Sequence, residues 1–143
     1  MLNQKASHQP SGQYALNEEY YKRIAAIQFT MNHDDGNLIR EINKSDIILL
    51  GVSRTSKTPT SIYLANKGLK TSNIPLVNEN SIPKILKTNP KISCVVGLST
   101  EAERLSDIRK NRMISLRETE NKSYTDLEKI RSEINEAKRT FRK

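Results

Sequence analysis

The run Asp46-Ile47-Ile48-Leu49-Leu50-Gly51-Val52-Ser53-Arg54-Thr55-Ser56-Lys57-Thr58-Pro59 constrains the fold of this 143-residue chain more than any other stretch. Four consecutive apolar residues, Ile47 to Leu50, suit a strand buried on both faces, as at the centre of a parallel sheet covered by helices. Gly51 then lets the backbone turn sharply. Pro59 fits the first turn of a helix, where its missing N–H is no loss. Strand, tight polar loop and helix in immediate succession make a βα unit.

That unit has the makings of an anion site. Loop amides after Gly51 can point inward, and a helix N-terminus attracts phosphate through free N–H groups and its dipole. Lys57 supplies a point charge for phosphate oxygens, and the Thr58 hydroxyl could reach a magnesium ion. The spacing matches the P-loop pattern G-x-x-x-x-G-K-[ST], with Ser56 in place of the second glycine. A serine is accommodated there if its φ is negative. An ordinary strand-to-helix turn is the plain alternative, since G-x5-K-T recurs by chance. The flanking strand and Pro-bearing helix favour phosphate binding.

Strands alternate with helices along the rest of the chain, which predicts an α/β fold with a mostly parallel sheet flanked by helices. Residues 1–16 read as a disordered polar tail and residues 17–143 as one domain. Residues 17–30 predict a helix with Tyr20, Ile24, Ile27 and Met31 on its apolar face. His33-Asp34-Asp35-Gly36 predicts a loop and residues 37–43 a short helical turn. The predicted strands are 46–52, 73–77 (an edge strand, given Pro75) and 92–98. Helices are expected over 59–67, closed by Gly68; after an N-cap at Ser81; from the Thr100–Glu103 capping box to about Met113; and from the Thr125–Glu128 box to about Phe141. Leu127, Ile130, Ile134 and Ala137 form the apolar face of the last.

Several function classes are set aside. The single Cys94 excludes an internal disulfide and a cysteine-based zinc cluster, and its apolar surroundings predict a small residue in a buried strand. No apolar run approaches the about 20 residues a membrane span needs, and the first residues lack the apolar stretch of a secretory signal. A cytoplasmic protein is expected. The net charge of +8 is spread along the chain: residues 1–100 hold 12 Lys and Arg against 7 Asp and Glu, and the remainder 12 against 9. Five Tyr and two Phe offer few stacking platforms, so nucleotides, phosphate or an acidic protein suit this balance better than nucleic acid. Arg104, Arg109, Lys110 and Arg112 read as a solvated helix face, with Arg109 and Arg112 the candidates to reach a phosphate or partner.

The residues also carry a resemblance. Gly51 to Pro59 with Ser61-Ile62-Tyr63-Leu64-Ala65-Asn66-Lys67-Gly68 resembles the kinase–pyrophosphorylase family, the bifunctional regulators of pyruvate, phosphate dikinase and of phosphoenolpyruvate synthase. Three further blocks resemble it in the same order: Tyr20 to Phe29 with His33 to Gly36, then Asn73 to Val77, then Val96 to Leu98 with Arg104-Leu105 and Ile108 to Arg112. The similarity covers about residues 12 to 143. Thr55-Ser56 before Lys57, and Lys67 to Thr71, look more like the dikinase branch.

The resemblance implies a protein kinase that phosphorylates a threonine of pyruvate, phosphate dikinase with ADP as donor. It also implies removal of that phosphate by inorganic phosphate, releasing pyrophosphate. Gly51, Val52, Ser53, Arg54, Thr55, Ser56, Lys57 and Thr58 would cradle the nucleotide phosphates, with Lys57 stabilising the transferring group and Thr58 reaching magnesium. Asp34 and Asp35 divide evenly between a turn and a catalytic pair, acting as general base or holding a metal; His33 carries no role. Family members are about twice this length, so a fragment, incomplete at its C-terminal end and with an unpaired sheet edge, is expected. A non-catalytic remnant that binds nucleotide or the dikinase, and an ATP-using phosphotransferase with a small-molecule substrate, remain as alternatives.

Overall fold

A computed structural model describes residues 17–77, 81–89, 93–117 and 122–142. The expected tail, residues 1–16, lies outside the described residues. Elements follow in the order α1 (Glu18–Asn32), two short 3-10 turns (Asp34–Gly36 and Ile39–Lys44), β1 (Ile47–Gly51), α2 (Lys57–Asn66), β2 (Thr71–Pro75), α3 (Lys84–Thr88), β3 (Cys94–Gly97), α4 (Ala102–Leu116), α5 (Lys122–Thr125) and α6 (Leu127–Phe141). The sheet has the order β2-β1-β3 and is parallel throughout, Ile47 pairing with Thr71 on one side and Cys94 on the other.

β1 is central and takes the two-sided burial its apolar run implies. Successive strand residues face opposite ways. Ile48 and Leu50 join Leu105, Ile130 and Ile134 in one apolar cluster, and the equally buried Leu49 lies outside that cluster. Helices α1 and α2 pack on each other and on the sheet.

The α1 face differs from the expected one. Tyr20, Ile24 and Met31 are exposed, and the residues buried along the helix are Ala26 and Thr30. The buried residues of α2 that face inward are also small, Ser61 and Ala65. Small side chains let the helices approach closely, and Thr30 Oγ1 accepts the Thr71 N–H at 3.0 Å. Close approach, not side-chain bulk, decides which face is buried. β3 also departs from expectation: all four of its residues are exposed, Cys94 among them. It is an edge strand whose cover is one-sided, with the Phe141 ring packed over Gly97 so that a Cβ there would lie 2.6 Å from ring carbons. β2 begins two residues earlier than expected and ends at Pro75.

Helix termini are corrected in three places. Ser81 is not the cap of α3, which starts after Pro83; its hydroxyl accepts the Val77 N–H. α4 begins after Glu101 with no side-chain cap bond. α6 is capped by Asp126, one residue past the expected Thr125, whose carboxylate accepts the Lys129 N–H at 3.0 Å. Its apolar face is the expected one, with Ile130 wholly buried. Gly68, at φ 83°, closes α2 by donating to Ala65 O.

Ile130→Ala is expected to cost about 2–5 kcal/mol in urea melts. Ile114→Ala, exposed on α4, should stay within about 0.5 kcal/mol.

Candidate functional site

The carboxyl end of β1 is where the chain leaves the sheet and where polar side chains gather. Gly51 has no left-handed φ, so it is not needed for a turn, as the sequence had suggested. It is needed for space: a Cβ would lie 2.6 Å from Leu98 O and 2.6 Å from Thr55 Oγ1. The turning is done by Arg54 at φ 74° and Ser56 at φ 62°. Ser56 thus occupies the conformation that favours glycine, so the condition for accommodating a serine there, a negative φ, is not met. It directly precedes α2 and gives no side-chain cap bond; the Thr60 N–H donates to Ser56 O at 3.1 Å and Pro59 has no N–H, which leaves the N–H groups of Lys57 and Thr58 without an intrahelical partner or a side-chain cap. The helix starts at Lys57, two residues before Pro59.

Lys57 is buried beneath the loop, 6 % exposed, with Nζ donating to Val52 O at 3.0 Å. Thr55 Oγ1 donates to the same carbonyl at 3.0 Å. Burial holds the Lys57 ammonium below its ordinary value of 10.5, against the pull of the Asp35 and Asp34 charges, while Arg54 and Arg109 push it further down.

Thr58, next along, turns to a second segment. Its Oγ1 donates to the Asp34 carboxylate, at 3.1 and 3.3 Å from the two oxygens. The turn before β1 is therefore brought against the loop after it, uniting Asp34, Lys57 and Thr58. Asp35 joins them, lining a cleft of about 310 Å³ with Ser53, Arg54, Ser56, Lys57, Thr58, Pro59 and Ile108.

The agent of this meeting is a residue not singled out from the sequence. Asn73 sits mid-strand in β2, 1 % exposed. Its Nδ2 donates to Asp34 and its Oδ1 accepts the Asp35 N–H at 3.0 Å. The available signal was an asparagine inside a buried strand, where that residue type is depleted. His33 contributes main chain, its carbonyl accepting the Asn73 N–H at 3.2 Å. Its ring is stacked on Phe29.

The basic cluster on α4 splits. Arg104, Lys110 and Arg112 are exposed, so Arg112 stays on the solvated face after all. Arg109 is 1 % exposed. Its guanidinium donates to Glu133 at 2.7 Å, to Tyr124 O at 3.2 Å and to Ser53 O at 3.4 Å, and lies over the Tyr124 ring. It braces the β1–α2 loop from behind. A larger cleft of about 560 Å³ lies along Ser99 to Glu103 and α6; Glu103 and Arg131 there are already paired at 2.8 Å. Among the described residues no three His, Cys, Asp or Glu side chains form a metal site, and no helix is long and apolar enough to cross a membrane.

Comparison with known proteins gives this geometry its context. The family model described as kinase/pyrophosphorylase matches residues 1–143. The chain belongs to the kinase/pyrophosphorylase family. Among its relatives is a protein of Pelagibacter ubique, 74 % identical over 141 residues, which covers 99 % of this chain and 52 % of the relative. A protein of Sphingopyxis alaskensis is 50 % identical over 141 residues, with the same coverage. One from Streptococcus sanguinis is 50 % identical over 135 residues, 94 % of this chain and 49 % of the relative. All three are provisionally named pyruvate, phosphate dikinase regulatory protein. The chain spans about half the length of these curated relatives, so it is a part-length member of the family.

Two substitutions test the loop geometry. Ser56→Gly relieves a left-handed serine and is expected to raise stability by up to about 1 kcal/mol in chemical denaturation. Gly51→Ala forces a methyl group against Leu98 O and is expected to cost about 1–3 kcal/mol in the same measurement.

Proposed function

We propose that this chain carries the nucleotide site of a cytoplasmic, bifunctional serine/threonine kinase and phosphorylase that regulates pyruvate, phosphate dikinase. One observation carries the reading: the buried Lys57, Thr58 with its hydroxyl bound to Asp34, and Asp35 line one cleft at the carboxyl end of a central parallel strand, in a chain of the kinase/pyrophosphorylase family. In the forward direction a threonine of the dikinase would take the β-phosphoryl group of ADP. In the reverse direction inorganic phosphate would take it from the phosphothreonine, giving pyrophosphate.

Phosphoryl transfer asks a protein mainly for positioning and charge neutralisation. Residues Gly51 to Thr58 would wrap the donor phosphates with backbone N–H groups. Lys57, released from Val52 O, would neutralise charge on the transferring group. The donor set of Thr58 Oγ1 and the Asp34 carboxylate is all oxygen, as magnesium requires, and two protein oxygens suit an ion completed by phosphates and water. Magnesium bound there would screen phosphate charge.

The expected outcome of incubating the chain with ADP and dikinase phosphorylated on its catalytic histidine is phosphothreonine on the dikinase. Lys57→Ala should lower its formation by about 100-fold or more. No phosphothreonine from folded chain that still binds ADP would leave a nucleotide-binding, non-catalytic protein, and preference for ATP would favour an ordinary phosphotransferase. Proton linkage gives an independent check. Lys57 is held low by burial, so above neutral pH the free site is protonated less readily than a site whose lysine faces phosphate. ADP binding at alkaline pH should therefore take up protons, seen by calorimetry in buffers of different ionisation enthalpy, and Lys57→Met should remove that uptake.

A further inference from the structure

Two carboxylates stand side by side at the cleft, and their surroundings differ. The Asp34 oxygens are turned to protein donors: the Thr58 hydroxyl lies against both, and Asn73 Nδ2 donates to Oδ1. Asp35 is exposed, lines the cleft beside Lys57 and Ser56, and among the described residues its carboxylate has no hydrogen-bond partner. Of the two, it also pulls harder on the Lys57 ammonium.

The main chain explains how Asp35 comes to be presented this way. It sits at φ 56°, a left-handed conformation unusual for a residue with a Cβ. Asn73 over-determines it, accepting the Asp35 N–H on Oδ1 at 3.0 Å while its own N–H donates to His33 O at 3.2 Å. One buried residue, through its main-chain N–H and its side-chain amide, thereby grips the turn before, at and after Asp34.

We infer that Asp35 is the carboxylate that takes the proton from the acceptor hydroxyl, that Asp34 is committed to holding Thr58, and that Asn73 is the positioning residue that keeps these roles apart. The inference rests on the proposed kinase and phosphorylase reading. In the forward step the hydroxyl proton passes to an Asp35 oxygen as the hydroxyl oxygen bonds to the β-phosphorus of ADP. The bond from that phosphorus to the bridging oxygen breaks, and AMP leaves with that oxygen. In the reverse step Asp35 takes the proton of the attacking hydrogen phosphate, whose oxygen bonds to the phosphothreonine phosphorus. The bond to the threonine oxygen breaks and that oxygen receives the proton, leaving pyrophosphate.

The test compares Asp34→Asn and Asp35→Asn in the full chain, by calorimetric ADP binding with magnesium and by the single-turnover rate of transfer at saturating ADP. For Asp35→Asn we expect ADP affinity within about twofold of the parent and transfer lowered about 100-fold or more. For Asp34→Asn we expect affinity to fall about tenfold, with transfer at saturating ADP lowered by less than about tenfold. The reverse pattern, with the large loss of transfer in Asp34→Asn and the loss of affinity in Asp35→Asn, overturns the assignment. A folded parent chain that binds no ADP overturns the proposed function and Asp35's role together. The Asn73 clamp is read separately, by hydrogen exchange: the Asp35 amide should lose its protection in Asn73→Ala while the amides of β1 keep theirs. Retained protection at Asp35 overturns the clamp.

Discussion

The side-chain amide of Asn73 donates to the Asp34 carboxylate and accepts from the Asp35 main chain, tying the turn before β1 to β2, and the same Nδ2 lies 3.4 Å from Thr58 Oγ1 at the start of α2. Without it the turn before β1 and the loop after it would be independent surface connections. With it, Thr58 meets Asp34, and the Lys57 ammonium sits within the field of two carboxylates. A buried polar group must find partners or cost stability. Asn73 meets that demand with the atoms the cleft needs held, so the core and the site are built by the same bonds.

Strain is concentrated at the same place. Three residues that line the cleft, Asp35, Arg54 and Ser56, take left-handed φ values without being glycine. Such conformations cost about 1–3 kcal/mol each and persist only where surroundings hold them. The supports are identifiable. Asn73 holds Asp35, and Arg109, fixed by Glu133 and Tyr124, reaches Ser53 O behind the loop. The guanidinium also carries a cost, since its Nε is buried with no partner. A cleft maintained at this expense fits a loop that must present amides and charges to one ligand geometry.

Much of this was legible in the sequence, for physical reasons. A run of four apolar residues has few outlets other than a doubly covered strand, and β1 is that strand. The face of α6 follows from 3.6-residue periodicity, which is strong in a helix with one partner side. The misreadings share a cause: they depended on what lies across an interface. Tyr20, Ile24 and Met31 match helical spacing, yet α1 buries Ala26 and Thr30, because its neighbours demand close approach. Cys94 lies in an apolar run, yet β3 is an edge and its cover is partial. Glycine was expected to turn the chain at residue 51, whereas it makes room there, and Ser56 turns it instead. Asn73 escaped notice as a site residue because its role is defined only by the turn that meets it, nearly forty residues earlier in the chain.

The proposed function makes the loop from Ser53 to Thr58, with Asp35 opposite, an anion site for condensed phosphates. Amide NMR of the chain titrated with pyrophosphate decides it. Saturable shifts centred on the amides of residues 53–58 and on Asp35 are expected. Saturable shifts confined to the larger cleft at Ser99 to Glu103, or no saturable shift in the loop, would contradict it.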